Sequence, residues 1–150
     1  MAIRIEYREV APGVVGALSK LNHYSDRCSI EPRFRRLVEV LTSQINGCTY
    51  CIEVHRRQAL ALGESEERLA ALADWASSDL FSDQERAAFA WVRSVTLIAE
   101  QGAPDRDYEP LKAFFSDGEI IDLTFIILSM NAWNRLAISF DREVPPPPAS

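Results

Sequence analysis

The sequence predicts an all-α protein, and three observations lead there. Apolar residues recur at three- and four-residue spacing over most of the chain. Two capping boxes and two prolines placed at helix starts punctuate that pattern. Strand-type alternation is confined to Ile3-Arg4-Ile5-Glu6-Tyr7, and no internal repeat is visible.

The elements follow in order. Pro12 suits a first helical turn, and a helix runs to about Asp26, weakened by Gly13 and Gly16. Pro32 opens a second helix, in which Phe34, Leu37, Val38, Leu41 and Ile45 mark one face; Asn46-Gly47 stops it. A third helix is expected from Cys48 to Leu62, ending at Gly63. Ser65 caps a fourth that carries Leu69, Leu72, Ala73 and Trp75. Ser82-Asp83-Gln84-Glu85 is a capping box, and its helix extends through Ile98 until Gly102-Ala103-Pro104 breaks it. A short helix is expected over Tyr108 to Phe115. Ser116-Asp117-Gly118-Glu119, a second capping box, starts a long apolar helix toward Phe140. Pro145 to Pro148 cannot continue it. One domain over residues 1–143 is expected, with a flexible Pro-rich tail over 144–150.

Bulk properties bound the function. The chain has 150 residues, 47% of them hydrophobic, enough for a core without disulfides or metal. Its 22 acidic and 16 basic residues leave a net charge of −6, which argues against nucleic acid as a partner. Arg33, Arg35 and Arg36 cluster locally and read as a solvated helix face. No secretory signal is visible, and the apolar run from Ile120 to Met130 is too short to span a bilayer. A cytoplasmic protein without membrane contact is expected. Three cysteines, Cys28, Cys48 and Cys51, do not make a disulfide framework. Two of them form the one concentration of chemistry in the chain.

That concentration is Cys48-Thr49-Tyr50-Cys51-Ile52-Glu53-Val54-His55. On a helix at about 100° per residue, Cys48, Cys51 and His55 fall within an arc of about 60°, and Glu53 points away. Thiols at i and i+3 can close a disulfide with little backbone change. A first-turn position favours the thiolate, and His55 lies one turn deeper on the same face, placed to move a proton. A thiolate that attacks a peroxide becomes a sulfenic acid, and a second cysteine within reach converts it to a disulfide. Two other readings compete. C-x-x-C-x-x-x-H supplies three zinc ligands and would need His23, Cys28 or a carboxylate as a fourth. The cysteines can also be plain core residues. A thioredoxin-type site would require a strand–helix–strand setting, which is not seen.

The run Ser43-Gln44-Ile45-Asn46-Gly47-Cys48-Thr49-Tyr50-Cys51 with His55 resembles the alkylhydroperoxidase D-like branch of the carboxymuconolactone decarboxylase family. Asn131-Ala132-Trp133-Asn134-Arg135 and Phe81-Ser82-Asp83-Gln84-Glu85-Arg86 extend the resemblance over residues 30 to 140. It implies a helical bundle assembled as a homo-trimer or homo-hexamer that reduces alkyl hydroperoxides. Cys51 would attack the peroxide, Cys48 would resolve it, and His55 would serve a proton relay. The reductant would be a dithiol or a lipoyl-bearing protein, with no cofactor and no metal. Decarboxylase members work without the thiol pair, so its presence counts against that reaction. The family often carries a relay glutamate twelve residues before the first motif cysteine, where this chain has Arg36. Glu39, three residues on, shares roughly the same face and can replace it, or be an ordinary ion-paired carboxylate. A helical oligomer that binds a small molecule or zinc without turnover is the alternative function. Asn131, Asn134 and Arg135 are expected to serve structure or an interface. Cys28 reads as a core-boundary residue, His23 as a surface residue at a helix end, and Trp75, Trp91 and Trp133 as core or interface.

Overall fold

Prolines and caps begin most of the helices. In the computed structural model, which describes residues 2–147, α1 covers Tyr7–Val10, α2 Pro12–Ser25, α3 Pro32–Asn46 and α4 Thr49–Ala61. Then come α5 (Glu66–Ala71), α6 (Asp83–Thr96), α7 (Ile98–Gln101), α8 (Asp105–Tyr108) and α9 (Asp117–Ser139). The fold is all-α, with no strand among the described residues; Ile3 to Tyr7, the one alternating run, leads into α1 instead. No helix among them is long and apolar enough to cross a membrane.

Local chemistry explains the boundaries. Glu31 caps α3 by accepting from the backbone N–H groups of Arg33 and Phe34 at 3.1 and 2.8 Å. Gly47 ends α3 in the left-handed region at φ 72°, where a side chain would be strained. Both capping boxes are closed in both directions, Ser82 with Glu85 and Ser116 with Glu119.

Three expectations need correction. The helix after Ser65 gives way at Leu72 to a 3-10 turn over Leu72–Ser77, in which Asp74 leaves helical geometry. The helix after Ser82 ends at Thr96 rather than at Gly102, because Leu97 turns to φ −98°, ψ 31° before α7 begins. The short helix expected over Tyr108 to Phe115 is instead α8, which starts at Asp105, followed by a 3-10 turn over Glu109–Ala113 that contains Pro110.

The core lies where α3, α6 and α9 meet. Leu37, Val38, Val40 and Leu41 of α3 pack with Ala88, Phe89 and Val92 of α6 and with Leu123, Ile126 and Ile127 of α9. Phe89 sits among Phe81, Trp75 and Phe34, with ring centroids at 5.3, 5.9 and 6.2 Å. Trp91 is buried, and its indole N–H donates to Thr124 at 2.9 Å. Cys28 packs half-buried on the core edge and His23 is exposed.

The chain beyond α9 runs extended. Arg57 donates to the carbonyls of Pro146 and Pro145 at 2.7 and 3.0 Å. Residues 148–150, the end of the expected flexible tail, lie outside the described residues.

Candidate functional site

The α3–Gly47–α4 hairpin builds the site. α4 packs along α3 and also touches α9. Cys48 is the N-cap of α4 and Cys51 lies in its first turn; the two form a disulfide with their Cα atoms 5.3 Å apart. The Cys51 backbone N–H donates to Cys48 Sγ at 3.3 Å, so a sulfur does here what a Ser or Asp oxygen does at other caps. Both cysteines are buried, with Met130 and Ala137 of α9 packed against them and Tyr50 and Trp133 at the edge.

His55 follows one turn on. Its Nδ1 lies 3.0 Å from Glu39 Oε2 and 3.0 Å from Gln58 Oε1. Glu39, only 4% exposed, is the acid behind the histidine. Two arginines share it: Arg35 Nε donates to Oε1 at 2.9 Å and Arg36 Nη1 to Oε2 at 2.7 Å. Arg35 reaches on to Asp26. Burial by itself would push the Glu39 carboxyl up. The opposing pull of His55, Arg36 and Arg35 is larger and brings it down to about 2. The carboxylate is therefore ionised at neutral pH. When it accepts a proton from Nδ1, Nε2 is left as the basic nitrogen of the neutral ring.

The structure thus brings Cys48, Cys51 and His55 together with Glu39. It overturns the reading of the arginine cluster as a solvated face: Arg33 is exposed, but Arg35 is buried and Arg36 mostly so. Glu39 is ion-paired with Arg35 and Arg36, and the same carboxylate lies within hydrogen-bond reach of His55. Sequence reasoning missed Arg35 and Gln58. The i, i+4 spacing of Arg35 and Glu39 was the available signal for the first, and i, i+3 from His55 for the second.

Cys51 and His55 line a cavity of about 240 Å³ walled by Tyr7, Tyr50, Met130 and Trp133. The Trp133 indole N–H donates to Asn22 Oδ1 at 3.2 Å, fixing that wall to α2. Asn131 and Asn134 line no part of this cavity. Asn46 Nδ2 donates to their Oδ1 atoms at 3.0 and 2.9 Å, and Asn134 donates to Ser43 Oγ at 3.1 Å. Arg135 donates to Asn131 Oδ1 at 2.7 Å. These amides tie the end of α3 to α9 beside the disulfide, the structural duty expected of them. Among the described residues, no three His, Cys, Asp or Glu side chains are grouped to hold a metal ion.

Known proteins resemble this chain in sequence and fold. Residues 12–94 match the carboxymuconolactone decarboxylase family profile. The uncharacterized protein YdfG of Bacillus subtilis is 33% identical over 93% of this chain and 95% of its own. A protein of unknown function from Agrobacterium tumefaciens, whose suggested role is antioxidant defence as AhpD, superposes with a TM-score of 0.95. It is 38% identical over 97% of this chain and 100% of its own. An uncharacterized peroxidase-related protein from Ralstonia eutropha, described as an alkylhydroperoxidase AhpD core, superposes at 0.80. It is 18% identical over 92% of this chain and 74% of its own, a likeness of fold. The chain belongs to the carboxymuconolactone decarboxylase family, in its alkylhydroperoxidase D-like branch.

Proposed function

We propose that the chain is a thiol-dependent reductase of organic hydroperoxides. The observation that carries this reading is the Cys48–Cys51 disulfide at the start of α4, in a cluster with an imidazole anchored by a buried, ionised carboxylate. In the reduced protein the Cys51 thiolate attacks the distal peroxide oxygen. The O–O bond breaks, Cys51 becomes a sulfenic acid, and the leaving alkoxide takes a proton from His55 and departs as alcohol. The Cys48 thiolate then attacks Cys51 Sγ, the disulfide forms, and hydroxide leaves as water with a proton returned through His55. One hydroperoxide and two thiols yield one alcohol, one water and one disulfide. A dithiol restores the reduced pair, and in a reducing cytoplasm the disulfide persists only as a state of turnover.

The apolar part of the cavity lining, Val15, Val54, Met130 and Trp133, favours an organic hydroperoxide over hydrogen peroxide, whose small polar body gains nothing from those side chains. We read the protein as a homo-oligomer as well, because α9 leaves Ile121 and Leu128 exposed on its outer side.

Replacing Cys51 with serine tests the assignment. Hydroperoxide consumption with a dithiol reductant is expected to vanish in Cys51→Ser. Cys48→Ser is expected to retain one turnover and stop at a sulfenic acid. Unchanged steady-state turnover in Cys51→Ser sinks the reading.

A further inference from the structure

The two cysteines open onto different spaces. Cys51 lines the 240 Å³ cavity with His55, and Cys48 does not. Cys48 lines a wider groove of about 550 Å³ on the other side, and Cys51 does not. The far wall of that groove is the chain just beyond α9, Asp141 to Val144.

Tyr50 and Ala137 line both spaces and form the wall between them. Tyr50 is clamped in that place. Arg8 Nη2 donates to its hydroxyl at 3.4 Å, and the Arg142 guanidinium lies 5.3 Å from its ring centroid. Arg142 is held in turn by an ion pair with Glu6 and lies over the Tyr7 ring at 5.7 Å. The smaller space mixes Tyr7, Met130 and Trp133 with Arg8, Asn22 and Gln58. The larger is edged by Asp141, Arg142 and Glu143.

We propose that the groove beside Cys48 is the entry site of the dithiol reductant, and that reduction begins by attack on Cys48 Sγ. The inference rests on the peroxidase reading only for naming what fills the cavity beside Cys51. A thiolate of the reductant attacks Cys48 Sγ, a mixed disulfide forms there, and the Cys48–Cys51 bond breaks with its electron pair on Cys51. The second thiol of the reductant, deprotonated, then attacks the reductant's own sulfur in that mixed disulfide. The reductant leaves as its disulfide, two electrons having passed to the protein. The two protons from its thiols go to Cys48 and to the Cys51–His55 pair.

Room selects Cys48. An extended arm bearing a dithiol has about 550 Å³ in the groove beside Cys48, against about 240 Å³ in the cavity beside Cys51. Attack on Cys48 frees the Cys51 sulfur, which lines the cavity with His55 and next meets the hydroperoxide.

Separate half-reactions test this, with dihydrolipoamide as the reducing probe and cumene hydroperoxide as the oxidising one. Val144, 48% exposed beyond α9, can take a bulky side chain without disturbing the core. Val144→Trp is expected to slow reduction of the disulfide by dihydrolipoamide about tenfold while leaving single-turnover oxidation of the reduced protein within about twofold. Val15→Trp, on the cavity side, is expected to do the reverse. Oxidised protein treated with glutathione and quenched with acid should carry the adduct on Cys48. An adduct on Cys51, or slowing of both half-reactions alike by either variant, overturns the proposal. The reductive step and the adduct are read on the disulfide itself, made with diamide if need be. They stand or fall even if no hydroperoxide is consumed.

Discussion

Glu39 decides what His55 can do. It is buried, yet His55, Arg36 and Arg35 hold it ionised with its carboxyl down at about 2. A folded-state value below the ordinary 4.5 means that the group contributes stability above that ordinary value and loses it as pH falls toward 2. Glu39→Gln is therefore expected to flatten the fall of the melting temperature between about pH 5 and pH 2, measured by circular dichroism. Peroxidase turnover in the same variant should drop by about tenfold or more, as with other carboxylates that orient a working histidine. A variant with lower stability but unchanged turnover would make Glu39 a structural ion pair and no more. Part of this was legible. The helical face of Glu39 could be read from spacing, and the missing acid at Arg36 raised the question. The pairing itself was not legible: Arg36 donates to Glu39 one turn on, at 2.7 Å. Nor was the burial of Arg35. A run of arginines at short spacing looks solvated until the turn before α3 brings Asp26 against it.

The α3–α4 hairpin is the element that turns these residues into a site. Gly47 takes φ 72° and ψ 27°, which reverses the chain and delivers Cys48 to the cap of α4. A Cβ added there meets nothing within 4 Å, so a substitution is strained by its backbone alone. Gly47→Ala is expected to cost about 1 kcal/mol, seen as a fall in melting temperature of about 2–4 °C. A melting temperature equal to that of the wild type would mean that the turn relaxes without penalty. Asn46-Gly47 announced this turn in the sequence, as the two capping boxes announced α6 and α9. Those signals are chemical and local. The breaks at Leu72 and Leu97 carried no such signal, because no glycine or proline stands at either. At Leu97 the backbone bends between two apolar stretches, Val92 to Val95 and Ile98, that share one uninterrupted period in the sequence.

At the scale of the whole molecule, contacts between the chain ends escaped the sequence entirely. Arg4 pairs with Asp141 at 2.6 Å and its N–H donates to the Phe140 carbonyl at 3.0 Å, while Glu6 pairs with Arg142. Charged residues more than 130 positions apart have no period to reveal them. The apolarity of α9 was plain, however, and it has a consequence. Its inner sides are used against α2, α3, α4 and α6. Ile121 and Leu128 remain 67% and 54% exposed, seven residues apart and thus on one line along the helix. Phe125 lies between them on that side and packs edge-on against Tyr24 at 4.8 Å, extending the apolar strip onto α2. An apolar strip of this kind is covered in a stable protein, and a second copy of the chain offers the matching surface. The wild-type protein is expected to sediment as an oligomer at micromolar concentration. Ile121→Glu combined with Leu128→Glu should sediment near the 16.9 kDa of a single chain. Both substitutions sit at exposed positions, so the helical circular dichroism of the double variant should match the wild type. An oligomer that survives both changes would move the interface elsewhere on the surface, and a wild-type protein that sediments as a monomer would end the idea.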